Sequence, residues 1–288
     1  MGSMLNPPIL DVCCGSRCFY FDKHDTRVLA CDIRREEKII GKNRTCYVNP
    51  DELHDFRALP ADWENRFSAV LFDPPHFTHA GEKSWLRAKY GALEKDTWRD
   101  TLSRGFREGL RVLKPHGVMV FKWNEYNIPL EDVLACAPVQ PLLGAETPKT
   151  SLTHFVVFAK DGDTEARDGL CILRPQRIKD FCALPLAWQE QYDVVVFEPP
   201  LLSAPGWTKG SWQNDLTLAL AECFRILRMN GSLIFTWKES DVPLEAILKC
   251  TPEKPVIGNR LPTKAKRHFL FFMKLPDDGV SQKQWELF

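Results

Sequence analysis

Asp73-Pro74-Pro75-His76 places a carboxylate, two pyrrolidine rings and an imidazole in one run. Ala69-Val70-Leu71-Phe72 precedes it and reads as a short strand buried on both faces, because such a strand is apolar without alternation. Neither proline can donate to a ladder, so the pair ends the strand and fixes a stiff turn. In an open α/β sheet that end of a strand is where ligands bind. The turn therefore presents a fixed hydrogen-bond acceptor beside a flat ring.

Three upstream segments must position that turn. Pro8-Ile9-Leu10-Asp11-Val12-Cys13-Cys14-Gly15-Ser16-Arg17 reads as a first strand entering a tight turn. Arg27-Val28-Leu29-Ala30-Cys31-Asp32-Ile33-Arg34 reads as a second buried strand ending in an acid. Leu53-His54-Asp55-Phe56-Arg57-Ala58-Leu59-Pro60 carries a third acid, in a capped turn or at a ligand.

Asp-Pro-Pro followed by a ring resembles the catalytic loop of class I S-adenosylmethionine (SAM) methyltransferases that modify exocyclic amines. In that family the fourth residue is Tyr, Phe or Trp, and here it is His76. The resemblance extends upstream: the family's first turn has the form acid-x-Gly-x-Gly-x-Gly, and this chain has Asp11-x-Cys13-x-Gly15-x-Arg17. It implies SAM as cofactor, with Asp11, Cys13 and Gly15 at the turn, Asp32 on the ribose, Asp55 on the adenine amine and Phe56 against its ring. It also implies roles for the proline turn. The Asp73 carboxylate and the Pro74 carbonyl would each accept one hydrogen of the target NH₂, Pro75 would stiffen the turn, and His76 would stack on the base. Lys122, ending the next strand, would flank the same pocket.

The rest of the first half follows. His79 to Gly91 interleaves Lys83, Trp85, Lys89 and Tyr90, a pattern suited to gripping an anionic backbone and stacking a base, or to a solvated lid. Trp98, Leu102, Phe106, Leu110 and Leu113 form an amphipathic stripe, ended by Lys114-Pro115-His116-Gly117. Val118 to Trp123 is a strand, Glu131 to Ala135 a short helix and His154 to Ala159 a final strand. The expected fold is α/β: a Rossmann-like class I methyltransferase sheet over residues 1–160.

The second half repeats the first. CILRPQRIKDFCALP (Cys171 to Pro185) aligns with CYVNPDELHDFRALP (Cys46 to Pro60), and YDVVVFEPP (Tyr192 to Pro200) with FSAVLFDPP (Phe67 to Pro75), both 125 positions apart. Downstream, Arg225 to Gly231 follows Arg111 to Gly117 and His268 to Lys274 follows His154 to Lys160, 114 positions apart. Blocks sharing an offset mark an internal duplication. The copy has no counterpart of Ile9 to Arg34, Asp73 has become Glu198 and His76 has become Leu201. Residues 161–275 thus read as a degenerate partial repeat lacking the SAM turn. Residues 276–288 read as a flexible tail, and its end, Gln284-Trp285-Glu286-Leu287-Phe288, resembles the bacterial sliding-clamp-binding peptide, which implies a clamp as partner through Gln284, Leu287 and Phe288.

Composition narrows the classes. At 44% apolar and 26% charged residues, the 288-residue chain is ordinary for a soluble globular protein, and no run approaches the ~20 apolar residues of a membrane span. Ten cysteines without recurring zinc spacing read as reduced and structural, with no metal, which implies a cytoplasmic setting. Zero net charge argues against a broad basic face but leaves local patches. The favoured activity is methylation of a nucleobase amine, adenine N6 in DNA ahead of RNA. An RNA or small-molecule amine methyltransferase and a non-catalytic scaffold partner stand as alternatives.

Overall fold

The structure, a computed structural model, describes residues 6–41, 44–78, 87, 91–144, 152–160, 169–174, 177–200, 210–239, 242–259 and 267–276. Among the described residues no helix is long and apolar enough to cross a membrane. The chain divides into two compact units, Met1–Cys18 with Asp22–Ala166, and Phe19–Phe21 with Arg167–Phe288.

In the first unit the strands are β1 (Ile9–Asp11), β2 (Val28–Asp32), β3 (Glu36–Gly41), β4 (Arg44–Val48), β5 (Glu52–Leu53) and β6 (Phe67–Phe72). Helix α1 (Trp98–Val112), β7 (Leu113–Asn124), α2 (Leu130–Leu134), β8 (Leu143–Gly144) and β9 (Thr153–Ala159) follow. Seven strands form one sheet in the order β5-β2-β1-β6-β7-β9-β8. Its strands run parallel from β5 to β7, and β9 is antiparallel to both β7 and β8. This is the Rossmann-like α/β arrangement, with its switch point where β1 and β6 lie side by side. The register Asp11↔Leu71 makes the loops after β1 and β6 leave the sheet together.

β1 and β2 are wholly buried, which is why they read as unbroken apolar runs. α1 presses Trp98, Leu102, Phe106 and Leu110 onto the sheet, and glycine lets it come close. A Cβ at Gly105 would lie 2.6 Å from Phe72 Cζ and 2.8 Å from Phe56 Cδ2. Lys114 to Gly117 is already strand rather than a separate stop, because β7 begins directly at the helix end. The antiparallel β3–β4 hairpin, a two-stranded sheet of its own, has no counterpart in the sequence expectation.

The second unit contains β10 (Leu170–Leu173), β11 (Tyr192–Phe197), α3 (Trp212–Ile226), β12 (Leu227–Lys238), α4 (Leu244–Leu248), β13 (Ile257–Gly258) and β14 (Arg267–Met273). Their order is β10-β11-β12-β14-β13. Side-chain contacts recur at the sequence offsets. Glu108 takes the Leu59 N–H at 2.8 Å and holds Arg111, whose guanidinium caps the Leu59 and Pro60 carbonyls. Glu222 takes the Leu184 N–H at 2.6 Å and holds Arg225, which caps Leu184 and Pro185. Trp123 Nε1 donates to Ile128 O, and Trp237 Nε1 to Val242 O.

One strand departs from the alignment. Cys171 matches Cys46 of β4 in sequence, yet β10 lies against β11 in the place β1 takes against β6: Leu170 pairs with Val194 as Ile9 pairs with Ala69. Lacking its own first strand, the copy fills an otherwise open edge with the nearest extended segment. Phe19–Phe21 belongs to this unit for a similar reason. Phe21 N–H donates to Val256 O at 3.1 Å, and Gly258 N–H donates to Phe19 O at 3.0 Å.

Candidate active site

Asp73 leaves the end of β6 beside Lys122 of β7, because the parallel register pairs Phe72 with Phe121. Lys122 Nζ donates to Asp73 Oδ2 at 2.7 Å, with the side chains 20% and 11% exposed. Asp73 Oδ1 is buried and receives no hydrogen bond from the described residues. One carboxylate oxygen is therefore fixed and the other is buried with no donor among the described residues. This places the Lys122 ammonium on Asp73 itself, beside the turn it was expected to flank.

His76 also departs from expectation. It is 6% exposed, with ring centroids 4.3 Å from Phe77 and 6.1 Å from Trp123. Burial holds its pKa below the ordinary value against the pull of Asp73, and it bonds the Pro74 backbone carbonyl. The ring braces the proline turn and gives a base no open face. Pro74 is buried, and Pro75 faces Gly91, whose φ of +76° leaves 3.0 Å between Pro75 Cγ and any Cβ placed there.

The β1 loop is tied backbone to carboxylate. Asp11 Oδ1 accepts the Cys13 N–H at 3.0 Å, and Asp32 Oδ2 accepts the Gly15 N–H at 3.0 Å. Gly15 and Arg17 adopt φ of 50° and 51°, the left-handed region that glycine enters freely. Arg17 holds it with its side chain: Nη1 donates to Lys23 O at 2.6 Å, while Nη2 reaches Asn49 O and Asp51 at 3.3 and 3.0 Å. The arginine at the third glycine position thus keeps a glycine-like backbone. Burial pushes the Cys13 thiol pKa up, and Asp11, Asp73 and Asp32 push it further. Three carboxylates converge on that point.

The two remaining acids are already engaged. Asp32 Oδ1 takes the Arg34 N–H at 2.9 Å and its Nε at 3.2 Å. Asp55 is gripped by Arg57 through the backbone N–H at 2.9 Å and the guanidinium at 2.6–3.0 Å, which lowers the Asp55 pKa. A ribose or an adenine amine would have to share these oxygens with arginine. Phe56 packs its ring 5.2 Å from Phe72, as part of the core edge. Lys83, Trp85, Lys89, Tyr90, Gln284, Leu287 and Phe288 lie outside the described residues. Sequence reasoning passed over Tyr126, 66% exposed and 5.7 Å from Phe77. The signal available was an aromatic residue four places beyond Lys122.

Fold and site together define a Rossmann-like α/β protein with a carboxylate turn and a glycine-type turn meeting at the sheet's switch point. No protein-family model matches the chain, and no curated protein matches it. Among solved structures it is similar to the PH0226 protein of Pyrococcus horikoshii OT3, at 15% identity over 53% of this chain and 81% of that one, TM-score 0.34. It is similar to a 16S rRNA methyltransferase of T. thermophilus solved with AdoMet and guanosine, at 9% identity over 92% and 87% of the two chains, TM-score 0.31. A 16S rRNA adenine-N1 methyltransferase from Catenulisporales acidiphilia matches at 12% identity over 55% and 86%, TM-score 0.29.

Proposed function

We propose that the chain is a SAM-dependent N-methyltransferase acting on an exocyclic nucleobase amine, adenine N6 in DNA. The observation that carries this reading is Asp73, one oxygen clamped by Lys122 and the other buried without a donor among the described residues. An aromatic amine is a poor nucleophile because its lone pair is delocalised into the ring. Accepting one of its hydrogens at Asp73 Oδ1 turns the lone pair out of conjugation and stabilises the positive charge that develops on nitrogen. Lys122 keeps the carboxylate from rotating, and His76 keeps the Pro74 carbonyl in place beside it.

The residues fit SAM. Asp11, Asp32 and Asp73 all act electrostatically on Cys13, two of them also paired with Arg34 and Lys122, which sets carboxylates where a cationic sulfonium would be held, and the Gly15–Arg17 turn holds the backbone that would lie against the cofactor. Bound there, SAM supplies an activated methyl group. The clamp-like tail favours DNA over RNA as substrate.

The second unit fits a degenerate copy. Glu198 has both oxygens occupied: Oε1 takes the Thr236 hydroxyl at 3.1 Å and Oε2 the Arg174 Nε at 2.5 Å. By strand register Ile172 stands where Asp11 stands. One observation favours the scaffold reading, the grip of Arg57 on Asp55, and calorimetry with SAM tests it. The deciding experiment is methyl transfer from labelled SAM to DNA and RNA by the native chain and by Asp73→Ala. The reading expects Asp73→Ala to keep only a small residual fraction of the native incorporation; equal incorporation by both removes Asp73 from the chemistry.

A further inference from the structure

A base whose amine meets Asp73 Oδ1 needs a flat partner for its face, since stacking is how an unpaired base is held out of water. His76 does not provide it, being 6% exposed beneath Phe77, and Phe77 is itself 6% exposed. Among the described residues the open ring against this cluster is Tyr126, 66% exposed, with its centroid 5.7 Å from Phe77 at 62°. A single exposed tyrosine needs no explanation, but this one has a particular position and support.

β7 delivers Lys122 to Asp73 and continues to Asn124, so Tyr126 leaves the same carboxyl end of the sheet, on the Asp73 side of the switch point. Its neighbours are pinned. Asn124 Nδ2 donates to Thr153 Oγ1 at 3.0 Å, Glu125 N–H donates to Leu152 O at 2.8 Å, and the Glu125 carboxylate accepts the Leu130 N–H at 2.7 Å. An exposed ring on a fixed backbone is a preorganised platform that loses little freedom when something stacks on it. The second half offers a control. At the downstream offset of 114, Ser240 replaces Tyr126 just as Thr236 replaces Lys122. The half whose carboxylate has a donor on each oxygen also lacks the ring.

We infer that Tyr126 is the base-stacking residue of this site, so that its substrate class is a planar aromatic amine, a nucleobase turned out of its stack, rather than an aliphatic amine. The inference rests on the methyltransferase reading and deepens it. The test compares the full-length native chain with Tyr126→Phe and Tyr126→Ala. One measurement is methyl transfer to an adenine-containing single-stranded oligodeoxynucleotide; the other is the fluorescence of the same oligonucleotide carrying 2-aminopurine at the target. Tyr126→Phe keeps the ring and should leave KM for the oligonucleotide within about twofold, whereas Tyr126→Ala should raise it roughly 10- to 100-fold, with SAM affinity unchanged in both. The 2-aminopurine signal should be quenched by the native chain and Tyr126→Phe but not by Tyr126→Ala. An unchanged KM in Tyr126→Ala overturns the inference and leaves the methyltransferase reading standing. A native chain that quenches 2-aminopurine through Tyr126 without transferring methyl overturns the reading and keeps the platform; a native chain that does neither overturns both.

Discussion

Replacing Lys122 with methionine tests whether the lysine acts only through Asp73. Methionine keeps most of the stem and removes the ammonium that donates to Asp73 Oδ2 at 2.7 Å. Fully buried pairs cost about 3–5 kcal/mol when one partner is lost and exposed pairs about 0–1 kcal/mol. At 11% and 20% exposure this pair lies nearer the buried limit. We expect a loss of about 2 kcal/mol, seen as a fall of roughly 4–8 °C in Tm. The larger effect should be on kcat, since a carboxylate free to swing by an ångström forfeits about 100-fold in rate. The assay is a double-mutant cycle with Asp73→Ala, reading stability by urea titration and kcat by labelled methyl transfer. If Lys122 works through Asp73, adding Lys122→Met to Asp73→Ala should change kcat little, with a coupling of about 2 kcal/mol in stability. Additive losses would show that Lys122 has a task of its own, such as contacting substrate, and would refute the clamp.

Three further outcomes follow from the local geometry. Arg17→Ala and Arg17→Gly lose the same side-chain bonds, but only alanine keeps the strain at φ 51°, so alanine should be less stable by about 1 kcal/mol in urea; equal midpoints would place the strain elsewhere. Gly105→Ala drives a Cβ into the packed rings of Phe72 and Phe56, whereas Gly109→Ala meets the flexible end of Met119, so the first should cost about 1–3 kcal/mol of overpacking and the second should gain part of the ~1 kcal/mol helix preference. His76, its pKa depressed by burial, stays neutral in the fold while the unfolded chain takes a proton below pH ~6.5. Its contribution is thus intact above pH ~6.5 and erodes as pH falls toward the folded value, by at most about 1.4 kcal/mol per pH unit. Urea midpoints of His76→Phe should fall less steeply with acid than those of the native chain, and parallel curves would contradict the burial argument.

The strands flanking the site were legible because β1, β2 and β6 are covered on both faces and carry near-continuous apolar runs, with Asp11, Asp32 and Asp73 marking their ends. The partners of those acids were not read, though a local signal existed. Asp-x-Arg occurs at Asp25-Arg27, Asp32-Arg34 and Asp55-Arg57, and each time the aspartate accepts the arginine's own N–H and its Nε. An acid followed two residues later by arginine closes a turn on itself, so candidacy as a ligand acceptor should be weighed against that habit. The β3–β4 hairpin has little apolar signal because Glu36 to Val48 is charge-dense, with Cys46 and Val48 its buried side chains among the described residues. The place of β10 could not have come from alignment, since the copy fills the position of an absent strand with a segment descended from elsewhere in the repeat.

The two halves together say why Asp73 is worth notice. A buried acceptor without a donor costs about 1–3 kcal/mol, and a scaffold under no other demand should remove that cost. In the second unit Arg174 and Thr236 bond both oxygens of Glu198, whose side chain is one-third exposed, and the exposed Ile172 takes the register position of Asp11. The first unit retains Asp11 wholly buried and leaves Asp73 Oδ1 buried without a donor among the described residues. Since closing the deficit takes only an added methylene, an arginine and a threonine, its persistence in the first unit is best explained by a donor that arrives with substrate.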